Sequence, residues 1–179
     1  RRLYPTEGSM EKYHLPPFQA AFDMKASSIM PDYSRICNDS RSVPQYYRGK
    51  LTSTETVPST YSKDLITDLA RDVMGFEGYV NSDSGITSVQ IYGVEHLSLP
   101  ERYAKAISAG TDVIGGNSDS ENIVKAVQEG YLPKEDLDRA ARLRARAEEA
   151  LHFVRARFRE EGVRAKVLGC DFTLDGRHL

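Results

Sequence analysis

Apolar positions recur at helical spacing in five stretches of the chain, and short apolar runs ending on polar residues lie between them. Residues 15–26, LPPFQAAFDMKA, put Pro16 or Pro17 at a helix start and Phe18, Ala21 and Phe22 on one face. Residues 62–74 set Leu65, Ile66, Leu69, Ala70 and Val73 on a second face, with Ser62 as a cap and Gly75 as a stop. Residues 100–109 place Tyr103, Ala106 and Ile107 together behind Pro100, with Gly110 beyond, and residues 118–130 repeat the order of loop, cap, helix and glycine. Residues 133–161 are long and charged, with Leu137, Ala141, Ala147, Leu151, Val154 and Phe158 near helical spacing; one helix, or two interrupted around 144–148, is expected.

The runs between these helices read as strands: residues 27–31, 76–83 and 111–116, with 163–168 as a further candidate after Gly162. Helix and strand alternate three times and a helix follows, an order that specifies parallel pairing rather than hairpins. Residues 1–14 read as loop. Residues 34–60, rich in Ser, Thr, Asn and Asp and broken by Pro44, Gly49 and Pro58, read as a long loop that either covers a site or forms a mobile insertion.

Composition narrows the function classes. The chain has 179 residues, 24 basic and 26 acidic, for a net charge of -2, so a broad nucleic-acid surface is not expected. Its apolar runs fall short of the roughly 20 residues that span a bilayer, and a soluble protein, cytoplasmic or exported, is expected. Cys37 and Cys170 are too sparse for a disulfide framework or a four-thiolate metal site, and no P-loop is present.

The stretch GYVNSDSG at residues 78–85 changes abruptly from apolar to polar. Asp83 would therefore sit at the carboxyl rim of a parallel strand, where α/β folds place their chemistry, among Asn81, Ser82 and Ser84. A carboxylate there serves as nucleophile, base or metal ligand; equally, it caps the segment that follows. Tyr33, after the preceding strand, is expected on the same rim, and Asp112, at the start of the next, lower and structural. Arg35, Tyr46 and Tyr47 are candidate contacts from the long loop. The four histidines show no pattern that would build a triad with Ser82 and Asp83.

The segments HLPPFQAAF, SIMPDYS, LITDLARDVMGFEGYVNSD and AISAGTDVIGG occur in an order that resembles the later part of the catalytic barrel of family 3 glycoside hydrolases, β-glucosidase-like enzymes above all. The resemblance runs from about residue 14 to residue 141. It implies an α/β fold: parallel βα units from the later part of a TIM-type (β/α)8 barrel, incomplete in this chain. It also implies that Asp83 is the catalytic nucleophile of a retaining, two-step hydrolysis of β-linked glycosides, with Met30 and Tyr33 of the MxxY motif lining the sugar site. No cofactor or metal is implied. The substrate would be a β-linked glucoside or short β-glucan.

The departures are specific. Only the sixth to eighth strands of such a barrel are matched, the paired Lys-His sugar motif has no counterpart, and the general acid comes from elsewhere in the family. MKASS replaces a glycine-containing turn, and Ala70 stands where leucine is common, while Arg71 keeps the basic position. Three parallel strands do not close a barrel, so a segment of a larger assembly, a complementary chain or homo-oligomer, or a rebuilt open fold is expected. Residues 1–141 are expected to form a partial barrel domain and 142–179 a divergent or foreign helical extension. A non-catalytic carbohydrate-binding or structural segment, and an engineered α/β scaffold, are the alternatives.

Overall fold

The computed structural model describes residues 4–36, 42–43, 45–48, 50–51, 55–88, 93–117 and 119–160. Two compact units divide the chain, Arg1–Leu143 and Arg144–Leu179. In the first, helix α1 (Pro16–Asp23) leads into strand β1 (Ser28–Ile29), and a π-helical segment, Asp64–Val73, leads into β4 (Tyr79–Val80). Helices α2 (Leu99–Ala109), α3 (Ser120–Gln128) and α4 (Lys134–Glu160) follow; β2 (Tyr46–Tyr47) and β3 (Lys50–Leu51) form a separate hairpin.

The sheet is parallel and open. Ser28 and Ile29 of β1 pair with Tyr79 and Val80 of β4, and a parallel bridge joins Asn81 to Val113 on the far side. Residues 111–116, expected as a strand, contribute only that bridge. The cause lies in the backbone: the amides of Asp112 and Val113 both reach the Val80 carbonyl, at 2.9 and 3.0 Å, and the Gly115 amide then turns to the Ser82 hydroxyl instead of continuing the ladder.

Helix ends follow the residues that specify them. In α2 the Ser98 and Glu101 side chains form a reciprocal capping box, Pro100 lies in the first turn, and Gly110 stops the helix at a φ of 112°. A Cβ at Gly110 would also lie 2.7 Å from Ile66, so this close approach to the 64–73 segment admits no side chain. At α3 the Asp119 carboxylate accepts the Asn122 amide at 3.4 Å. The Ser62 hydroxyl accepts the Leu65 amide at 3.3 Å, opening the segment whose later turns widen, as in the 2.9 Å bond from the Met74 amide to the Leu69 carbonyl.

Apolar faces meet where the spacing directs them. Ile66, Leu69 and Ala70 pack with Phe22, Met74, Phe76 and Val80 under the sheet, and α2 joins Val57, Tyr61, Ile86 and Val94 through Ala106. Ala104 and Ile107 meet Ala126, Leu132 and Ala140, so the opening turns of α4 belong to this first unit. In the second unit Arg144 and Glu148 pair at 2.9 Å along the helix, which runs without interruption through residues 144–148. The candidate strand at 163–168 lies outside the described residues.

Two loop expectations are corrected. Within residues 1–14, Met10–His14 forms a π-helical turn, because the buried Gln45 side chain accepts the Met10 amide at 3.0 Å and donates to the Thr6 carbonyl at 3.0 Å. Within residues 34–60, a hairpin and a 3-10 turn, Ser59–Tyr61, are ordered by side chains directed inward. Tyr47 joins the Phe22 cluster and its hydroxyl donates to Gln19 Oε1 at 2.9 Å, while Tyr61 is buried and donates to the Ile86 carbonyl at 3.2 Å. Alternating polarity failed as a signal there because buried tyrosines and glutamine anchor the segment with polar tips.

Candidate functional site

Alternation along β4 builds the rim. Val80 is fully buried against the helices, and Asn81, Ser82 and Asp83 carry the chain out past the end of the ladder. The buried Ser82 hydroxyl accepts the Gly115 amide at 2.9 Å and donates to the Asp83 carbonyl at 3.0 Å. A Cβ at Gly115 would lie 2.5 Å from the Ser82 carbonyl, so glycine lets the two rim segments touch.

Asp83 is half-buried, and its Oδ1 accepts the Ser84 amide at 2.7 Å. A helix cap would instead accept an amide two or three residues on, and the Gly85 amide is already committed to the Gly115 carbonyl at 2.9 Å. Tyr33, 42% exposed, crosses from β1 and donates its hydroxyl to the Ser84 carbonyl. Its phenol is held above the ordinary value of 10.0, by partial desolvation first and then by the charge of nearby Asp83. Tyr33 thus reaches the Asp83 loop at the mouth of the sheet and lies within the field of that carboxylate.

The other sequence-derived residues are distributed differently. Met30 lines an apolar pocket of about 250 Å³ with Phe18, Ile29, Leu65 and others, a wall that does not include Tyr33 or Asp83. Arg35 is half-buried, its backbone bridged to Pro58; Tyr46 is exposed on the hairpin; Tyr47 is buried beneath it. Asp112 lies below the rim, its Oδ2 accepting the Val80 amide at 2.8 Å and pairing with Arg71 at 2.6 Å.

Sequence reasoning passed over the linking groups: the Ser82 hydroxyl, Gly115, and Asn117, whose amide donates to Thr87 and Ser88 at 3.1 and 3.3 Å. Their signal was a run of small polar residues facing a Gly-Gly pair across two strand ends. Among the described residues no three His, Cys, Asp or Glu side chains gather to hold a metal, and no helix is long and apolar enough to cross a membrane.

Residues 4–146 match the family model of the glycosyl hydrolase family 3 N-terminal domain. The chain belongs to glycosyl hydrolase family 3. A periplasmic β-glucosidase/β-xylosidase of Dickeya chrysanthemi is 36% identical over 146 residues, covering 71% of this chain and 21% of that protein. A probable β-glucosidase C of Aspergillus flavus is 32% identical over 181 residues, covering 96% of this chain and 26% of the relative. The family 3 chain therefore spans about a fifth to a quarter of these relatives.

Solved structures agree on the fold. The β-N-acetylglucosaminidase of Thermotoga maritima superposes with a TM-score of 0.58 at 24% identity, over 75% of this chain and 28% of that one. A β-glucosidase of Bifidobacterium adolescentis gives 0.52 at 23% identity, over 78% and 16%. A second family model, the PSP1 C-terminal conserved region, matches residues 130–179 and so overlaps the family 3 match along α4.

Proposed function

We propose that this chain carries the nucleophile and part of the sugar pocket of a retaining β-glycosidase acting on a β-linked glucoside or short β-glucan. The observation that carries the reading is Asp83, half-buried at the carboxyl end of β4, with Tyr33 reaching to its loop from the neighbouring strand. Its carboxylate attacks the anomeric carbon, the bond to the leaving oxygen breaks, and that oxygen takes a proton from a separate acid. Water then cleaves the glycosyl ester as the same group, now a base, removes its proton. Oδ2 is the oxygen left for attack, since Oδ1 already accepts the Ser84 amide.

Tyr33 fixes the loop and borders the sugar; Met30 supplies an apolar wall, and Arg35 and Tyr46 are the remaining loop contacts. The burial of Tyr47 gives it a supporting role beneath the hairpin. In the family the separate acid usually comes from a later domain or loop, and it is assigned to no residue here. A division between a partial barrel domain, residues 1–141, and an extension, 142–179, completes the reading, supported by the compact unit ending at Leu143 and by the PSP1 match.

Covalent labelling tests it. In a complete, folded assembly a 2-deoxy-2-fluoro-β-glucoside should leave its glycosyl group on the peptide containing Asp83; labelling of another carboxylate would remove Asp83 from the role. Sugar binding without label or turnover would favour a non-catalytic carbohydrate-binding segment.

A further inference from the structure

A cation stands where a helix does not favour one. Arg102 is the fourth residue of α2, next to the Glu101 of the capping box, so the positive end of the helix dipole opposes its charge. Side chains on a helix lean toward its start, and there the guanidinium meets carbonyl oxygens. Nε donates to Leu97 at 3.0 Å and to Val94 at 3.2 Å, Nη1 to Thr87 at 3.1 Å, and Nη2 to Glu95 at 3.3 Å.

All four carbonyls belong to the chain that follows Asp83. Thr87 comes early in it and Val94, Glu95 and Leu97 come late, so one half-buried guanidinium ties its two ends together. Other groups fasten the turn around Thr87. The Tyr61 hydroxyl donates to the Ile86 carbonyl at 3.2 Å, the Ser88 amide to the Gly85 carbonyl at 2.9 Å and the Gly85 amide to the Gly115 carbonyl at 2.9 Å, and both Ile86 and Thr87 are fully buried. On the strand side the amides of Asn81 and Ser82 reach the Ile29 and Val113 carbonyls at 3.0 and 2.8 Å. Asp83 and Ser84 therefore form a two-residue span between two anchors, and Arg102 supplies the charged part of the second.

We propose that Arg102 is a positioning residue for glycoside cleavage: by tying together the two ends of the segment after Asp83, it holds the Asp83–Ser84 span where the carboxylate meets the anomeric carbon. This deepens the reading of Asp83 as nucleophile and rests on it. The guanidinium donates to backbone carbonyls and acts on the sugar only through the placing of that span, so its effect falls on the rate of attack and not on sugar affinity. Lysine is no substitute, because an ammonium keeps the charge without the planar set of donors that spans four carbonyls.

Arg102→Lys and Arg102→Ala test it, each in the active assembly at a temperature where circular dichroism shows the variant folded. The rate at which a 2-deoxy-2-fluoro-β-glucoside labels Asp83 should fall about tenfold or more in both, with KM for a chromogenic β-glucoside changed less than about threefold, the split expected when a reacting group is misplaced and sugar contacts are kept. Added methylguanidinium should raise the labelling rate of Arg102→Ala at least about threefold, and ammonium at equal ionic strength should not, a response that lost stability alone does not produce. Labelling at the native rate in either variant, a loss confined to KM, or absence of rescue would overturn the proposal. Failure of both variants to fold would do the same, by assigning the guanidinium to the fold alone. Label on another carboxylate in the unsubstituted assembly is the distinct result that removes Asp83 from its role, and the positioning role of Arg102 then falls with it.

Discussion

Arg71 and Asp112 meet beneath the sheet with Nη2 2.6 Å from Oδ2, the carboxylate fully enclosed and the guanidinium nearly so. The same Arg71 donates to the carbonyls of Gly78 at 2.9 Å and Gly110 at 3.2 Å, and the same Oδ2 accepts the Val80 amide. One ion pair thus joins the 64–73 segment, β4 and the end of α2. Asp112→Ala should destabilise the fold by about 3–5 kcal/mol, because it leaves a largely buried cation and a buried amide without their acceptor. Urea unfolding followed by circular dichroism measures it; a loss below about 1 kcal/mol would show that water replaces the pair.

Acid titration gives that pair a second signature. Burial raises the Asp112 carboxyl above its ordinary 3.8, outweighing the opposing pull of the Val80 amide, Arg71 and Arg139. The folded state therefore holds this proton to higher pH than the unfolded chain does. Its contribution to stability is fully present below pH 3.8 and is lost as pH rises through the raised folded value, with a slope of at most about 1.4 kcal/mol per pH unit. The difference in stability between the native chain and Asp112→Asn should carry this decline, and a flat difference from pH 3 upward would contradict it.

Ser98 tests the fold at a site remote from the rim. Its hydroxyl and the Glu101 carboxylate close the first turn of α2, with the Ser98 amide donating to Glu101 at 2.8 Å. Ser98→Ala should cost about 1 kcal/mol, the usual loss for a capping hydroxyl, and lower the thermal midpoint by a few degrees. Equal midpoints would mean that solvent satisfies the end of the helix as well as serine does.

Legibility in the sequence tracked how locally each feature is determined. Helices α1 and α2 and the 64–73 segment were readable because proline, serine and glycine mark their ends and apolar spacing marks their faces. The parallel pairing of β1 with β4 followed from the alternation of elements. Residues 34–60 were not readable as structure, since Tyr47, Tyr61 and Gln45 are fixed by partners far along the chain, as in the bond from Tyr47 to Gln19. On the rim, Asp83 and Tyr33 stand out as chemical types, whereas the relay from Gly115 through Ser82 to Asp83 depends on two strand ends meeting.

Tyr33 reaches Ser84 and not a distant surface, so its hydroxyl should matter for turnover more than for folding. Tyr33→Phe removes a donor at an exposed position and should leave the thermal midpoint within about 2 °C, because an exposed hydroxyl exchanges its partner for water. In an active assembly kcat should fall about tenfold, as the loop beside Asp83 loses its tether, with a smaller change in KM. An unaltered kcat would assign the ring to packing alone.

Asp83→Asn is the sharpest test of the chemistry. The amide is nearly isosteric and its oxygen still accepts the Ser84 amide, so the rim should keep its geometry and the variant its unfolding curve. What it lacks is the anionic oxygen that forms the ester, and hydrolysis of a chromogenic β-glucoside by the complete assembly should fall by roughly three orders of magnitude or more. Asp83→Gly, which leaves room for a small anion, offers the control: in a retaining mechanism azide can replace the missing carboxylate, and the product then forms as a glycosyl azide of inverted configuration. Recovery with inversion would identify the lost group as the nucleophile, whereas full hydrolysis by the unassisted variant would place the attacking carboxylate elsewhere.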